Sequence, residues 1–200
     1  MDKVSKSQWT QMVITLALAL GVALLVNWAV LKLFGQKSAA RAEHSLVGIL
    51  LLMAYVAVLV RKNAGPMRAA SFFVVALIPC YLGTVFPDLD IRLWGIGGHR
   101  NPLFHSSLSF LVLWVFARQR SALWQTVVSG YGIGLASHLW WDVLYYGDVR
   151  WLPGGMIDRL WLGIHGLLCL AIPGARWLRV KASGSPATHR TMRASLDANG

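Results

Sequence analysis

Three short clusters carry most of the side chains in this chain that could do chemistry. They are Asp88 and Asp90 in Pro-Asp-Leu-Asp at 87–90, His99 and His105 in His-Arg-Asn-Pro-Leu-Phe-His-Ser-Ser at 99–107, and His138 and Asp142 in Ser-His-Leu-Trp-Trp-Asp at 137–142. On a helix, His138 and Asp142 lie on one face, one turn apart. There they can bind one metal ion together, or the carboxylate can orient the imidazole from behind. Asp88 and Asp90 sit at the end of an apolar run, where an irregular backbone can bring both to one point. Carboxylates with imidazoles suit Zn²⁺, and also Mn²⁺ or Fe²⁺. The candidates outnumber the three protein ligands of a typical catalytic zinc. Either some of them only support the others, or the site takes two ions about 3.5–4 Å apart.

Each residue also has a plainer reading. A single Asp at a helix end, Asp88 or Asp90, is usually a cap. His165, in a later apolar run, can simply bond across helices. Ser106, Ser107 and Ser137 read as packing or local hydrogen bonding. Asp148 and Asp158 read as solvated loop charges, and for Arg100 the plainer reading is an idle surface charge, against a contact to a lipid headgroup or a substrate phosphate. The cluster as a whole is harder to explain that way. An ionisable residue in mid-membrane costs about 2.5–3.5 kcal/mol on insertion scales, yet a chain with eight acidic residues places three of them here.

The elements that must position these groups are apolar helices. Hydrophobic residues make up 56% of the chain and charged residues 14%, with a mean hydropathy of +0.54, against about 25% charged in soluble domains. The sequence therefore predicts an all-α fold, a polytopic transmembrane helical bundle of about six spans joined by short loops. The spans fall near 11–34, 45–60, 69–86, 103–117, 124–146 and 160–178 in one integral membrane domain over 1–180, with a disordered basic tail at 181–200. The run from Val13 to Phe34 exceeds the roughly 7–15 residues of a signal-peptide core, so it reads as an uncleaved span. Gly65-Pro66 breaks the chain, and Pro79 and Pro173 interrupt helices. Pro102 is suited to start the fourth span and to place His105, Ser106 and Ser107 in its opening turns. Gly130, Gly132 and Gly134 permit close helix packing. Trp9, Trp94, Trp124, Trp151, Trp161 and Trp177 sit at run ends, where indole favours the headgroup zone.

A net charge of +11 would suggest nucleic acid on a soluble domain, but here the basic residues flank apolar runs. Topology control and anionic headgroups account for them more simply, and no nucleic-acid partner is expected. With six spans both termini share a side, and Lys and Arg divide twelve to seven in favour of that side. The positive-inside bias then predicts cytoplasmic termini in a bacterial inner membrane. Alternation of the spans brings Asp88, Asp90, His99, His105, His138, Asp142 and His165 to one membrane face, the extracytoplasmic one. Cys80 and Cys169 read as small buried hydrophobes.

Pro-Asp-x-Asp, then His-Arg followed shortly by His-Ser, then Ser-His-x-x-x-Asp resembles the YdjM-like family of bacterial inner-membrane, metal-dependent hydrolases. The likeness covers about 79–153, including Trp-Leu-Pro at 151–153. By position it implies Asp88, Asp90, His99, His105, His138 and Asp142 as metal-site residues. This chain has Phe104 where the family commonly has Thr, and Ile91 where it often has His. The resulting expectation is a hydrolase using one or two divalent ions, Zn²⁺ first and Mn²⁺ or Fe²⁺ next. Asp88 or Asp142 would serve as general base, and Arg100 would hold a phosphate. The expected depth of the site, near a headgroup layer, makes an ester or phosphoester of a membrane lipid or lipid-linked precursor the reachable substrate class. The alternatives are a non-enzymatic metal-binding or transport protein, and a structural role in which the His and Asp residues staple helices together.

Overall fold

The computed structural model describes residues 39–183, together with isolated positions between 10 and 28. The expected first span, with Asn27, and most of the expected tail lie outside the described residues. Among the described residues the protein is all helical. Helix α1 spans Ala39–Tyr55 and continues through a π turn, Val56–Val60, into a last α turn, Arg61–Ala64. Gly65, at φ 79°, ends it, and Pro66 opens α2, Pro66–Val85. Proline is tolerated there because a first-turn N–H has no helical partner to lose. A short α3, Leu89–Trp94, follows, and then a 3₁₀ turn at Ile96–Gly98. Helix α4 is Leu108–Ala117, α5 is Ala122–Tyr145, and α6 is Met156–Ser183. Pro173 sits inside α6 without ending it.

The fourth helix begins later than the sequence predicts. Asn101 captures the chain before Pro102 can act as a helix start. Its side-chain oxygen accepts the Leu103 N–H at 2.9 Å, and its carbonyl accepts those of Phe104 and His105 at 3.0 and 2.8 Å. His105 and Ser106 therefore lie in a turn, and Ser107 takes the N-cap position.

Helix α5 is the centre of the fold and packs against α1, α2, α4 and α6. Its approach to α2 is backbone against backbone. A methyl group on Gly134 would run into the Cys80 carbonyl of α2, and one on Gly130 into Ala76. Gly83 of α2 meets Tyr131 and Leu135 in the same way. The glycines expected to allow close packing do so here. One apolar cluster, including Leu52, Phe73, Ala76 and Ile133, fills the α1–α2–α5 side. A second, including Phe110, Leu135, Leu139 and Leu162, fills the side towards α4 and α6.

Two helices, α2 and the Met156–Leu178 stretch of α6, are long and apolar enough to cross a membrane. The apolar stretches His44–Val60 and Leu108–Ala117 are shorter. At 1.5 Å per residue the ten-residue α4 is about 15 Å long, half of a hydrocarbon core of about 30 Å. Helix α5 has the length but is diluted by glycines, serines, His138 and Asp142, all of which it buries inside the bundle.

Candidate metal centre

His138 and Asp142 project from the C-terminal half of α5, and both are almost fully buried. Parallel packing of α2 on α5, with Ala76 beside Gly130, Cys80 beside Gly134 and Thr84 beside His138, brings the C-terminal end of α2 beside them, and with it Asp88 and α3. His138 Nδ1 donates to the Thr84 carbonyl of α2 at 2.7 Å. That bond fixes the tautomer and leaves Nε2 as a bare lone pair. Nε2 lies 3.4 Å from Asp142 Oδ2 and 4.0 Å from Asp88 Oδ1. From the other side, His105 Nε2 lies 3.5 Å from the same Asp142 oxygen.

These separations bear on what the group can hold. They are too long for good hydrogen bonds, which fall at about 2.7–3.2 Å for nitrogen to oxygen. Tetrahedral zinc with bonds of about 2.0–2.1 Å, however, holds its donors about 3.3–3.4 Å apart. Both ring nitrogens of His105 and Asp142 Oδ2 are buried and have no hydrogen-bond partner among the described residues. Buried polar atoms left bare are costly, and a cation between His105 Nε2 and Asp142 Oδ2 would satisfy both, while His105 Nδ1 faces Asp90 on the other side of the ring. The residues present thus fit a divalent ion.

Asp90 plays a different part. It is completely buried, and both its oxygens are engaged. Oδ1 meets His99 Nδ1 at 3.0 Å. Oδ2 accepts the Asn101 N–H at 3.0 Å and lies 3.4 Å from His105 Nδ1. Burial by itself would raise this carboxyl, but the His105 and His99 imidazoles and the Asn101 N–H outweigh it and hold the group at about 2. A carboxylate behind an imidazole is the usual support for a metal-binding histidine. Two groups in the structure are geometrically able to hold a metal: His44, His138 and Asp142, and beside them Asp90, His99 and His105. The ring of His105 joins them, standing edge-on to His138 with centroids 5.5 Å apart.

All of Asp88, Asp90, His99, His105, His138 and Asp142 therefore converge as the topology predicts. Neither aspartate is a helix cap. Asp88 holds the N-cap position of α3 but makes no capping hydrogen bond, and its carboxylate faces His138 instead. His165 takes its plainer reading: its Nδ1 pairs with Ser107 Oγ at 2.8 Å, across from α6 to the start of α4. One turn earlier on α6, Trp161 Nε1 donates to the His105 carbonyl at 2.9 Å. Helix α6 thus steadies the turn that carries His105.

Arg100 sits at the edge of the cluster in a left-handed conformation, φ 62°. Its guanidinium pairs with Asp148 and lies over the Tyr146 ring, 4.3 Å from the centroid. Asp148 is exposed, as a loop charge should be, but it is tied to Arg100. Asp158 contradicts its expected reading as a solvated loop charge. It is buried, and its two oxygens accept the N–H groups of Val149 and Gly154 at 2.6 and 2.8 Å. It ties down the loop between α5 and α6.

His44, at the start of α1, was not singled out from the sequence. Under the expected alternation of spans, its position at the start of the second apolar run would have grouped it with the others.

Residues 59–183 match the family model described as "Domain of unknown function (DUF5942)". No curated protein and no solved structure matches the chain.

Proposed function

The chain belongs to the DUF5942 family, and from that premise and the geometry of its buried cluster we propose a membrane-embedded, metal-dependent hydrolase. The observation that carries the reading is the set of bare donors on His105, His138 and Asp142, spaced for a shared cation. The proposed ion is Zn²⁺, with Mn²⁺ and Fe²⁺ as alternatives suited to the same nitrogen and oxygen donors. When bound, such an ion lowers the pKa of its water to about 7 and supplies hydroxide at neutral pH.

The protein's own groups would divide the remaining work. His138 is held in one tautomer by Thr84, and His105 is backed by Asp90 and His99. Asp88 is the carboxylate best placed as general base, because its side chain is 15% exposed where that of Asp142 is 4% exposed. It can take a proton and pass it to solvent. Arg100 is proposed to exchange Asp148 for a substrate phosphate, since guanidinium recognises both groups with the same paired donors.

The membrane setting is inferred from apolar side chains that point outward along the bundle: Val74, Ile78 and Leu82 on α2, Val112, Val115 and Phe116 on α4, Ile164 and Leu167 on α6. Contiguous exposed apolar surface of this kind marks a membrane or partner face. We read the chain as a multi-pass protein of the bacterial inner membrane with cytoplasmic termini, using the outward-facing helices and the expected first span. His138 and Asp142 lie about 5–10 Å inside the end of α5. That depth matches a headgroup layer and favours an ester or phosphoester of a lipid or lipid-linked substrate. The resemblance to YdjM-like hydrolases points the same way.

The test is hydrolysis of phospholipid and lipid-phosphate substrates in mixed micelles by the purified full-length protein. Activity that disappears with chelator, returns with Zn²⁺ or Mn²⁺ and is absent in Asp142→Asn supports the proposal. Metal uptake without hydrolysis of any ester would move the reading to metal binding or transport.

A further inference from the structure

We infer that α1 supplies His44 as an additional ligand, so that the metal joins a helix beginning outside the matched family segment to α5 and to the turn before α4. The inference rests on the metal-centre reading above and extends it to a residue that the three sequence clusters do not contain. The family match begins at residue 59, fifteen residues after His44.

His44 is 6% exposed, and its Nδ1 is buried with no hydrogen-bond partner among the described residues. A histidine kept only for packing normally satisfies its ring nitrogens, and this one does not. Its ring lies flat against that of His138, with centroids 4.3 Å apart and an interplanar angle of 11°. Trp141 closes its other side edge-on at 5.9 Å. One donor atom from each of His44, His138 and Asp142 falls within 4.8 Å of the others.

The backbone fixes this placement. Gly48, one turn along α1, lets that helix approach α2 and α5 closely. A methyl group there would lie 3.1 Å from Ser137 Oγ and 3.7 Å from Cys80 Sγ. The Cys80 thiol donates to the Gly48 carbonyl at 3.4 Å. His44 is thus delivered to the cluster by a tight contact between helices. With His105, His138 and Asp142 it makes four protein donors, and a water would complete a five-coordinate centre that zinc tolerates. Asp88 is then left outside the ligand set as the base.

The experiment uses full-length protein in mild detergent loaded with Co²⁺ or Zn²⁺. X-ray absorption on the wild type should count three imidazoles on the metal, and a count of two overturns the inference. His44→Ala and His44→Gln should each lower the count by one and weaken Co²⁺ binding at least about 10-fold in chelator competition. Leu46→Ala, on the exposed side of the same helix, should leave both unchanged. Unaltered affinity and count in His44→Gln overturn the role of His44 while the centre itself stands. A wild-type protein that takes up no metal overturns the centre, and this inference with it.

Discussion

Asp142→Asn separates a metal centre from a set of structural staples. The Asp142 oxygen sits 3.4 and 3.5 Å from two imidazole nitrogens, so as a hydrogen-bonding staple it is poorly placed. As a donor to a shared cation its spacing is right. A ligand that binds only the folded state stabilises it by about 2.7 kcal/mol at one hundred times its dissociation constant. For a chain of 200 residues, each kcal/mol moves Tm by about 2–4 °C. Saturating Zn²⁺ should therefore raise the melting temperature of the wild type by roughly 5–11 °C. Chelator should reverse the rise. Asp142→Asn keeps the shape of the side chain but loses the ionised donor, so its melting temperature should respond to neither metal nor chelator. The assay is tryptophan fluorescence on heating, in detergent, with matched Zn²⁺ and EDTA arms. A wild type indifferent to chelator, or an Asn variant that shifts as the wild type does, would refute the reasoning.

Other substitutions probe the supports. His138→Ala should abolish bound metal by elemental analysis. Asp90→Asn removes the group behind His105 and should weaken metal about 10- to 100-fold by chelator competition without abolishing it. Because Asp90 is held at about 2 against an ordinary 3.8, its ionised form contributes stability above pH 3.8 that is lost as pH falls through about 2. Acid unfolding of Asp90→Asn should lack that component. Gly134→Ala forces α5 away from α2 at Cys80 and should cost about 1–3 kcal/mol in denaturant melts, with weaker metal binding alongside. Asp158→Ala leaves the buried Val149 N–H and the half-buried Gly154 N–H without their partner and should cost about 1–3 kcal/mol, with proteolysis appearing in the loop after α5.

Much of this fold was legible because apolar runs and their breaks are local signals. Gly65-Pro66 separates α1 from α2, and the glycines of α5 announce a close contact. The convergence of the three clusters was expected from the alternation of the predicted spans. The misses have physical causes. Pro102 reads as a helix start only if Asn101 does not fold the chain into a turn first, and its side chain does. Asp158 reads as a solvated charge because nothing in the sequence tells that two loop N–H groups will seek it. His44 lies at the seam between a basic connector and an apolar run, and its partner His138 is 94 positions away. Helix α5 is long enough for a span, but its polarity makes sense only once its neighbours surround it.

The two halves of the centre differ in how the chain must reach them. Asp88, Asp90, His99 and His105 come from one short stretch, closed on itself by the bond from Asn101 N–H to Asp90. Closing so short a loop loses little chain entropy, so this half can form before the long helices have found each other. His138 and Asp142 arrive only when α5 docks, and His44 only when α1 does. A folding intermediate holding the first half alone would already carry donors for a cation, and metal added during refolding would be expected to capture it.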